Sequence, residues 1–301
     1  MKILVTGSTG LVGTALSAAL ARDGHTVCRL LRPQSKRATS KDGFDVAWNP
    51  VTGELGGAGV GADGVVNLAG VSIADGRWSA QRKELLRSSR IDTTRALINA
   101  LAKMSARPRV LVSASAIGIY GSRGDEVLTE ESAPGTDFLS GLAREWEVEA
   151  LKAEALGIRV VLARFGIILS RTGGALPRMV LPFRFGAGGK LSSGKQWMSW
   201  VTLEDVVGIL KFALENSAAR GAINVVAPAA VQNAEFTKVL AKAMHRPALF
   251  PAPAFALRLA LGEMADALLL SSQRVRPQKL QQLGYAFLHS ELSVALRAVL
   301  A

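Results

Sequence analysis

Apolar residues fall along the chain in short runs that alternate with stretches of helical spacing. The first run, Ile3-Leu4-Val5, predicts a buried strand. It leads into Thr6-Gly7-Ser8-Thr9-Gly10-Leu11-Val12-Gly13. Behind these glycines Val12, Leu16, Ala19 and Leu20 recur on one helix face. Gly24 follows where a helix C-terminus favours a residue free to take positive φ. The opening therefore reads strand, glycine turn, helix.

The alternation continues. His25–Leu31 is a second strand, and Phe44–Trp48 is a short one inside an otherwise polar, glycine-rich stretch from 40 to 62. Gly64–Leu68 is another buried strand, closed by the small residues Ala69 and Gly70. Leu85, Leu86, Ile91, Leu97, Ile98 and Leu101 mark a long helix within 77–109. Val110–Ser115 is the fifth strand, Phe138–Glu147 a helix and Ile158–Ala163 the sixth strand. From Gly173 to Gly194 the chain is glycine-rich and apolar, which predicts a mobile loop facing a substrate. Amphipathic helices follow at Phe236–Met244, at Ala254–Leu270 after the proline-rich link 247–253, and at Leu292–Leu300. Strands alternating with helices predict a doubly wound α/β fold with a parallel sheet and a ligand at its C-terminal strand ends. Residues 1–228 form the nucleotide-binding domain, with substrate-lobe segments from 167 onward, and 229–301 form a C-terminal helical module.

The 301 residues are 49% apolar, enough for a large core, and no run of 18 uninterrupted apolar residues predicts a membrane span. No basic-then-apolar leader precedes the first strand, so a cytoplasmic protein is expected. The single cysteine, Cys28, lies in an apolar stretch and reads as a buried inert thiol. Net charge is +12. Nine basic residues and only two acidic ones, Glu84 and Asp92, lie between Arg77 and Arg109. No aromatic series accompanies them, which makes a nucleic acid the weaker reading. A solvated helix face, or attraction of an anionic small-molecule substrate, is the stronger one. The three histidines, His25, His245 and His289, are far apart, and no Gly-x-Ser-x-Gly elbow occurs. No metal site is expected.

The glycine turn carries the chemistry. Between a strand and a helix, Gly7 and Gly10 let the backbone approach a pyrophosphate, and the helix start offers unpaired N–H groups. Gly13 lets helix and strand pack closely. Thr6 to Gly13 are thus the candidate cofactor contacts. An NAD site wants an acidic residue at the end of the second strand. Here stands Arg32-Pro33-Gln34-Ser35-Lys36-Arg37. A guanidinium suits a ribose 2′-phosphate, so NADP(H) is expected over NAD(H), with Arg32 the principal contact and Lys36 or Arg37 in support.

The Thr-Gly-x-x-Gly-x-x-Gly pattern resembles the extended short-chain dehydrogenase/reductases, Rossmann-type proteins of the epimerase and dehydratase group. Asn67-Leu68-Ala69-Gly70 matches a segment that lies along the cofactor in that group. Ile73 to Trp78, Ser89 to Thr94, Leu261 to Ala265, Gln273-Arg274-Val275-x-Pro277 and Gly284-Tyr285-x-Phe287 resemble its atypical epimerase-like branch. Members of that branch carry a small C-terminal domain of undefined function. The resemblance implies that a serine at the end of the fifth strand, best matched by Ser115, bonds the substrate, and Ser113 is a candidate cofactor contact. It also implies that Arg164 opens a segment turning over the nicotinamide, and that two-helix packing makes a homodimer. Two departures stand out. Arg90 replaces an asparagine four residues before Thr94. The Tyr-x-x-x-Lys pair of the wider family is missing from Phe138–Glu147, where Leu139 and Ala143, or Leu142 in the lysine place, stand instead. Candidates for the proton are Ser115, Tyr120 and Glu145. Asp205 is expected to cap or order a turn, and Trp197 and Trp200 to line a pocket or, for Trp200 above all, to pack in the core. Two functions remain: an NADP(H)-dependent oxidoreductase or epimerase-like enzyme on a small or nucleotide-linked substrate, or a non-catalytic NADP(H)-binding sensor or scaffold.

Overall fold

The computed structural model describes residues 1–31, 44–56 and 61–301. Strands β1 (Lys2–Thr6), β2 (Thr26–Leu31), β3 (Phe44–Asn49), β4 (Glu54–Leu55), β5 (Gly64–Asn67) and β6 (Val110–Ala116) form most of one large sheet. The short β7 (Val127–Leu128) stands apart, and β8 (Arg159–Phe165) rejoins the sheet. Three more short strands, β9 (Ile167–Leu169), β10 (Trp197–Met198) and β11 (Trp200–Thr202), precede β12 (Gly221–Val225), the last strand of the large sheet. The spatial order is β12-β8-β6-β5-β1-β2-β3-β4. Every pair is parallel except the β3–β4 hairpin. The order reverses between β1 and β5, so a crevice opens beyond their carboxyl ends.

Helices α1 (Leu11–Arg22), α2 (Ala80–Ala102), α3 (Phe138–Leu151) and α5 (Leu203–Glu215) cover the sheet, while α4 (Leu176–Arg184) packs in the lobe described below. Alternate residues of each strand face opposite layers. Ile3, Val5, Val66, Val112 and Val161 pack with Leu16 and Leu20 of α1 and with Ile209 and Leu210 of α5. Leu4, Val65, Leu111 and Val160 pack with Leu97, Ile98 and Leu101 of α2 and with Ala150 of α3. These are the three layers of a doubly wound Rossmann-type domain. Cys28 is buried in the second layer, where the apolar surroundings push its thiol above the ordinary value.

A third core belongs to the lobe that follows. The two-residue strand β13 (Val231–Gln232) leads into α6 (Asn233–Met244) and α7 (Ala254–Leu261). After β14 (Arg274–Val275) come α8 (Gln278–Gln282) and α9 (Leu292–Leu300). Leu176, Val180 and Phe183 of α4 pack with Phe236 and Leu240 of α6, Leu296 of α9 and the fully buried Trp200. The expected loop at 173–194 is thus corrected: Leu176, Val180 and Phe183 stand at helical spacing on one buried face. The expected single helix at 254–270 is corrected too. α7 stops at Gly262, whose φ of +63° breaks the helix, and Ala265–Leu270 form a separate π-helical turn. Asp205 orders its turn but is not the cap: Thr202 is the N-cap of α5, its Oγ1 accepting from Asp205 N and donating to Asp205 Oδ2, while the Asp205 carboxylate also accepts from Leu288 N and His289 N.

Candidate functional site

The glycine turn stands at the switch point. Gly7 has φ of +63°, and a Cβ on it would lie 2.5 Å from Leu68 O. A Cβ on Gly13 would lie 2.2 Å from Gly7 O. Gly13 therefore seats α1 on the turn itself rather than on the strand. Gly10 N donates to Gly7 O at 3.0 Å, closing the turn, and Gly10 is the N-cap of α1. No side chain caps this helix, and its first turn holds no acidic residue. Its first N–H groups and the positive dipole end are left to an anion. Ser8 Oγ is buried beside them with no hydrogen-bond partner among the described residues. A side-chain-free cradle, an uncapped helix start and an orphaned hydroxyl fit the pyrophosphate of a dinucleotide. Thr9 and Gly10 are exposed at the crevice, with Leu11 and Val12 half-buried behind them.

Beneath the opposite wall lies a polar knot. Thr6 Oγ1 donates to Asn67 Oδ1 at 2.7 Å and accepts from Leu68 N at 3.1 Å. Asn67 Nδ2 donates to Thr94 Oγ1 at 2.9 Å and to Ser113 Oγ at 3.2 Å, and Trp146 Nε1 donates to Thr94 Oγ1 at 3.0 Å. Thr6, Asn67, Thr94 and Ser113 are all buried. The structure thus places Asn67 and Ser113 as ties between β1, β5, β6 and the helices α2 and α3. The surface they support is Leu68, Ala69 and the exposed Gly70.

A second network is ionic. The Arg164 guanidinium forks onto Glu147 of α3, Nε to Oε1 and Nη2 to Oε2, both at 2.8 Å. Ser115 Oγ donates to Glu147 Oε1 at 2.6 Å. Arg164 Nη1 donates to Tyr120 OH at 2.8 Å, and Tyr120 OH donates to Asn224 Oδ1 at 2.7 Å. Burial alone lowers the Arg164 pKa, but hydrogen bonding to Glu147 and its neighbours outweighs this and holds it above the ordinary arginine value. Burial raises the Tyr120 phenol above its usual value against the pull of Arg164 and Asn224. Ser115, Tyr120 and Arg164 are therefore brought together, each with its polar atoms bonded inside the protein. Ala143 is buried against Tyr120, and Leu139 faces Gly118. Glu145 lies outside this group, on the surface, paired with Arg87.

Arg90 fills the place of the expected asparagine. It donates to Leu86 O and Val71 O at 3.0 Å each, stacks on Trp146 and underlies Gly70. Burial, with Arg82 adding to it, pushes its pKa down to about 10. Beside Val71 a cavity of about 580 Å³ opens between the turn Pro50–Gly53 and Ser89, Asp92 and Thr93 of α2. Arg32, Lys36 and Arg37 lie outside the described residues. Sequence reasoning passed over Glu147, Asn224 and Glu130, whose Oε1 accepts from Asn224 N at 3.0 Å. One signal was available: an arginine inside a buried strand needs a counter-charge.

The profile of the NAD dependent epimerase/dehydratase family matches residues 3–226. The chain belongs to this family. Residues 252–299 match a domain of unknown function, DUF1731. Epimerase family protein Mb2239 of Mycobacterium bovis is 43% identical over 295 residues, which are 98% of this chain and 96% of that protein. Epimerase family protein YfhF of Bacillus subtilis is 40% identical, over 100% of this chain and 98% of its own. The crystal structure of human epimerase family protein SDR39U1 (isoform 2) with NADPH has a TM-score of 0.88 to this chain at 32% identity and covers 99% of each. This is an NAD(P)-binding protein of the epimerase family. Among the described residues no cluster of His, Cys, Asp or Glu is built to hold a metal, and no helix is long and apolar enough to cross a membrane.

Proposed function

We propose that this epimerase-family protein binds NADP(H) in preference to NAD(H) and uses it as an oxidoreductase or epimerase-like enzyme on a small or nucleotide-linked, anionic substrate. The observation that carries the cofactor site is the turn above α1, where neither Gly7 nor Gly13 has room for a Cβ and Ser8 Oγ waits without a partner. The turn holds the pyrophosphate, the cavity beside Val71 takes the adenosine, and Arg32 with Lys36 or Arg37 takes the 2′-phosphate. The human relative crystallised with NADPH supports that preference. When bound, a nicotinamide supplies or takes up a hydride. The chain's own part would be to hold the dinucleotide with the glycine turn and the Leu68–Gly70 surface, and to keep water from the buried ionic network.

The cations of α2 are largely spent inside the protein: Lys83 on Glu263, Arg87 on Glu145, Arg95 on Asp92 and Glu149, and Arg90 on carbonyls. This supports a small anionic substrate over a nucleic acid. A second reading has an observation of its own. Tyr120 and Ser115 both give their protons to partners inside the protein, as a non-catalytic NADP(H) sensor would permit.

Titration with NADPH and NADH, for wild type and Arg32→Ala, tests the cofactor reading through tryptophan quenching. Loss of the 2′-phosphate contact weakens NADPH by about 1–3 kcal/mol and leaves NADH nearly unchanged. Failure of both nucleotides to bind at micromolar concentration overturns the cofactor site. Tight NADPH binding with no hydride consumed across a panel of carbonyl substrates favours the sensor.

A further inference from the structure

Helix α7 reads Ala-Phe-Ala-Leu-Arg-Leu-Ala-Leu and buries none of its residues. Phe255 is 72% exposed and Leu259 78%. Such a helix, open on the surface, has no internal reason for its composition. The segment before it runs along 188–192. Phe250 N donates to Gly188 O at 3.1 Å, Ala252 N to Lys190 O at 2.9 Å and Ser192 N to Ala252 O at 2.8 Å. The approach is so close that a Cβ on Gly189 would stand 1.9 Å from Phe250 O. Leu249 and Phe250 therefore lie along the segment that follows Leu181 and Phe185 at the end of α4, and all four are exposed.

Charge sets the occupant. Residues 173–203 and 236–262 contain no Asp or Glu. Within them Arg184, Lys190, Lys195, Lys242 and Arg246 form no ion pair among the described residues. A second copy docking here would set basic rim against basic rim on a chain of net charge +12. An anionic bilayer satisfies both features at once, taking apolar side chains at the acyl boundary and cations at the phosphates. We propose that this face of the lobe docks on an anionic lipid surface. Phe250, Phe255 and Leu259 insert, and Arg184, Lys190 and Arg246 contact headgroups. The contact is interfacial, since no described helix can span a membrane.

The test is sedimentation of the full chain with phosphatidylcholine vesicles that contain about 30 mol% phosphatidylglycerol, or none. Wild type binds the anionic vesicles and binds neutral ones at least tenfold more weakly. Arg184→Gln/Lys190→Gln/Arg246→Gln lowers the partition coefficient roughly a hundredfold, and Phe250→Ser/Phe255→Ser/Leu259→Ser lowers it more than about tenfold. All six sites are on the surface, so circular dichroism and melting of both variants match wild type. Lys103→Gln/Arg107→Gln/Arg109→Gln removes the same charge elsewhere and leaves binding within about twofold. Absence of wild-type binding, or an equal loss in the last variant, overturns the proposal. So does self-association in place of lipid binding, abolished by the serine variant, because it would assign the face to a second copy.

Discussion

Removing the Glu147 carboxylate tests the ionic network directly. Glu147 accepts both arms of the Arg164 fork at 2.8 Å and Ser115 Oγ at 2.6 Å, and all three residues are buried. Glu147→Ala leaves the guanidinium with only the neutral acceptors Tyr120 OH and Glu130 O, and it strands the serine hydroxyl. Breaking a buried pair by deleting one partner costs about 3–5 kcal/mol. The stranded hydroxyl adds about 1–3 kcal/mol, partly overlapping with the first cost. A total of about 4–6 kcal/mol is expected, which lowers Tm by roughly 6–10 °C in a chain of this size. Urea unfolding followed by tryptophan fluorescence measures the free energy, and calorimetry measures Tm. Glu147→Leu/Arg164→Met removes both charges and recovers most of the loss, because no uncompensated ion remains. A single variant within about 1 kcal/mol of wild type would refute the reasoning. So would a double variant as unstable as the sum of its parts. Either result would mean that water, not Glu147, balances the charge on Arg164.

Two further outcomes follow from geometry. Gly13→Ala gains about 1 kcal/mol of helix propensity, yet its Cβ would meet Gly7 O at 2.2 Å and Ser8 Cα at 2.7 Å, both main chain. The turn must move, so the variant loses about 1–3 kcal/mol net and binds NADPH at least tenfold more weakly by calorimetry. The bond from Lys2 N, at 2.8 Å, and then the Arg109 contact hold Asp63 below the usual carboxylate range. Its folded pKa is lower than the unfolded value of about 3.9, so its contribution is present above about pH 4 and is lost on acidification. Asp63→Asn lowers stability at neutral pH and flattens its fall between about pH 4 and pH 2 in urea titrations.

The sheet was legible because its strands are buried on both faces and read as continuous apolar runs, Ile3-Leu4-Val5 and Val110-Leu111-Val112 among them. The glycine turn was legible because backbone conformation and close approach leave one residue type allowed at 7 and 13. The lobe was less legible. Leu176, Val180 and Phe183 carry a helical period, but the glycines and prolines around them outweighed it in a local reading. The ionic network was hidden for another reason. Ser115 with Tyr120, Glu147, Arg164 and Asn224 come from four separate segments, and only parallel pairing, with Ser115 and Asn224 both opposite Arg164, and the packing of α3 bring them together. Periodicity within one element carries no trace of such a meeting.

The same network bears on how the C-terminal module relates to the crevice. Strand β14 pairs with β7, and Gln273 Nε2 donates to Ile117 O at 3.2 Å and Gly121 O at 3.1 Å. Ser272 Oγ donates to Gly124 O at 2.7 Å, and Asn224 Nδ2 donates to Arg276 O at 3.0 Å. Each bond ends on the segment after β6, which carries Tyr120, or on the asparagine that accepts from Tyr120. Three of the acceptors, Ile117 O, Gly121 O and Gly124 O, are main-chain carbonyls of the segment that follows β6, so residues 272–273 tie that segment in place. The module is therefore part of the wall behind Tyr120, which it reaches through the 117–124 segment and Asn224, while Glu147 of α3 holds the Ser115 hydroxyl directly.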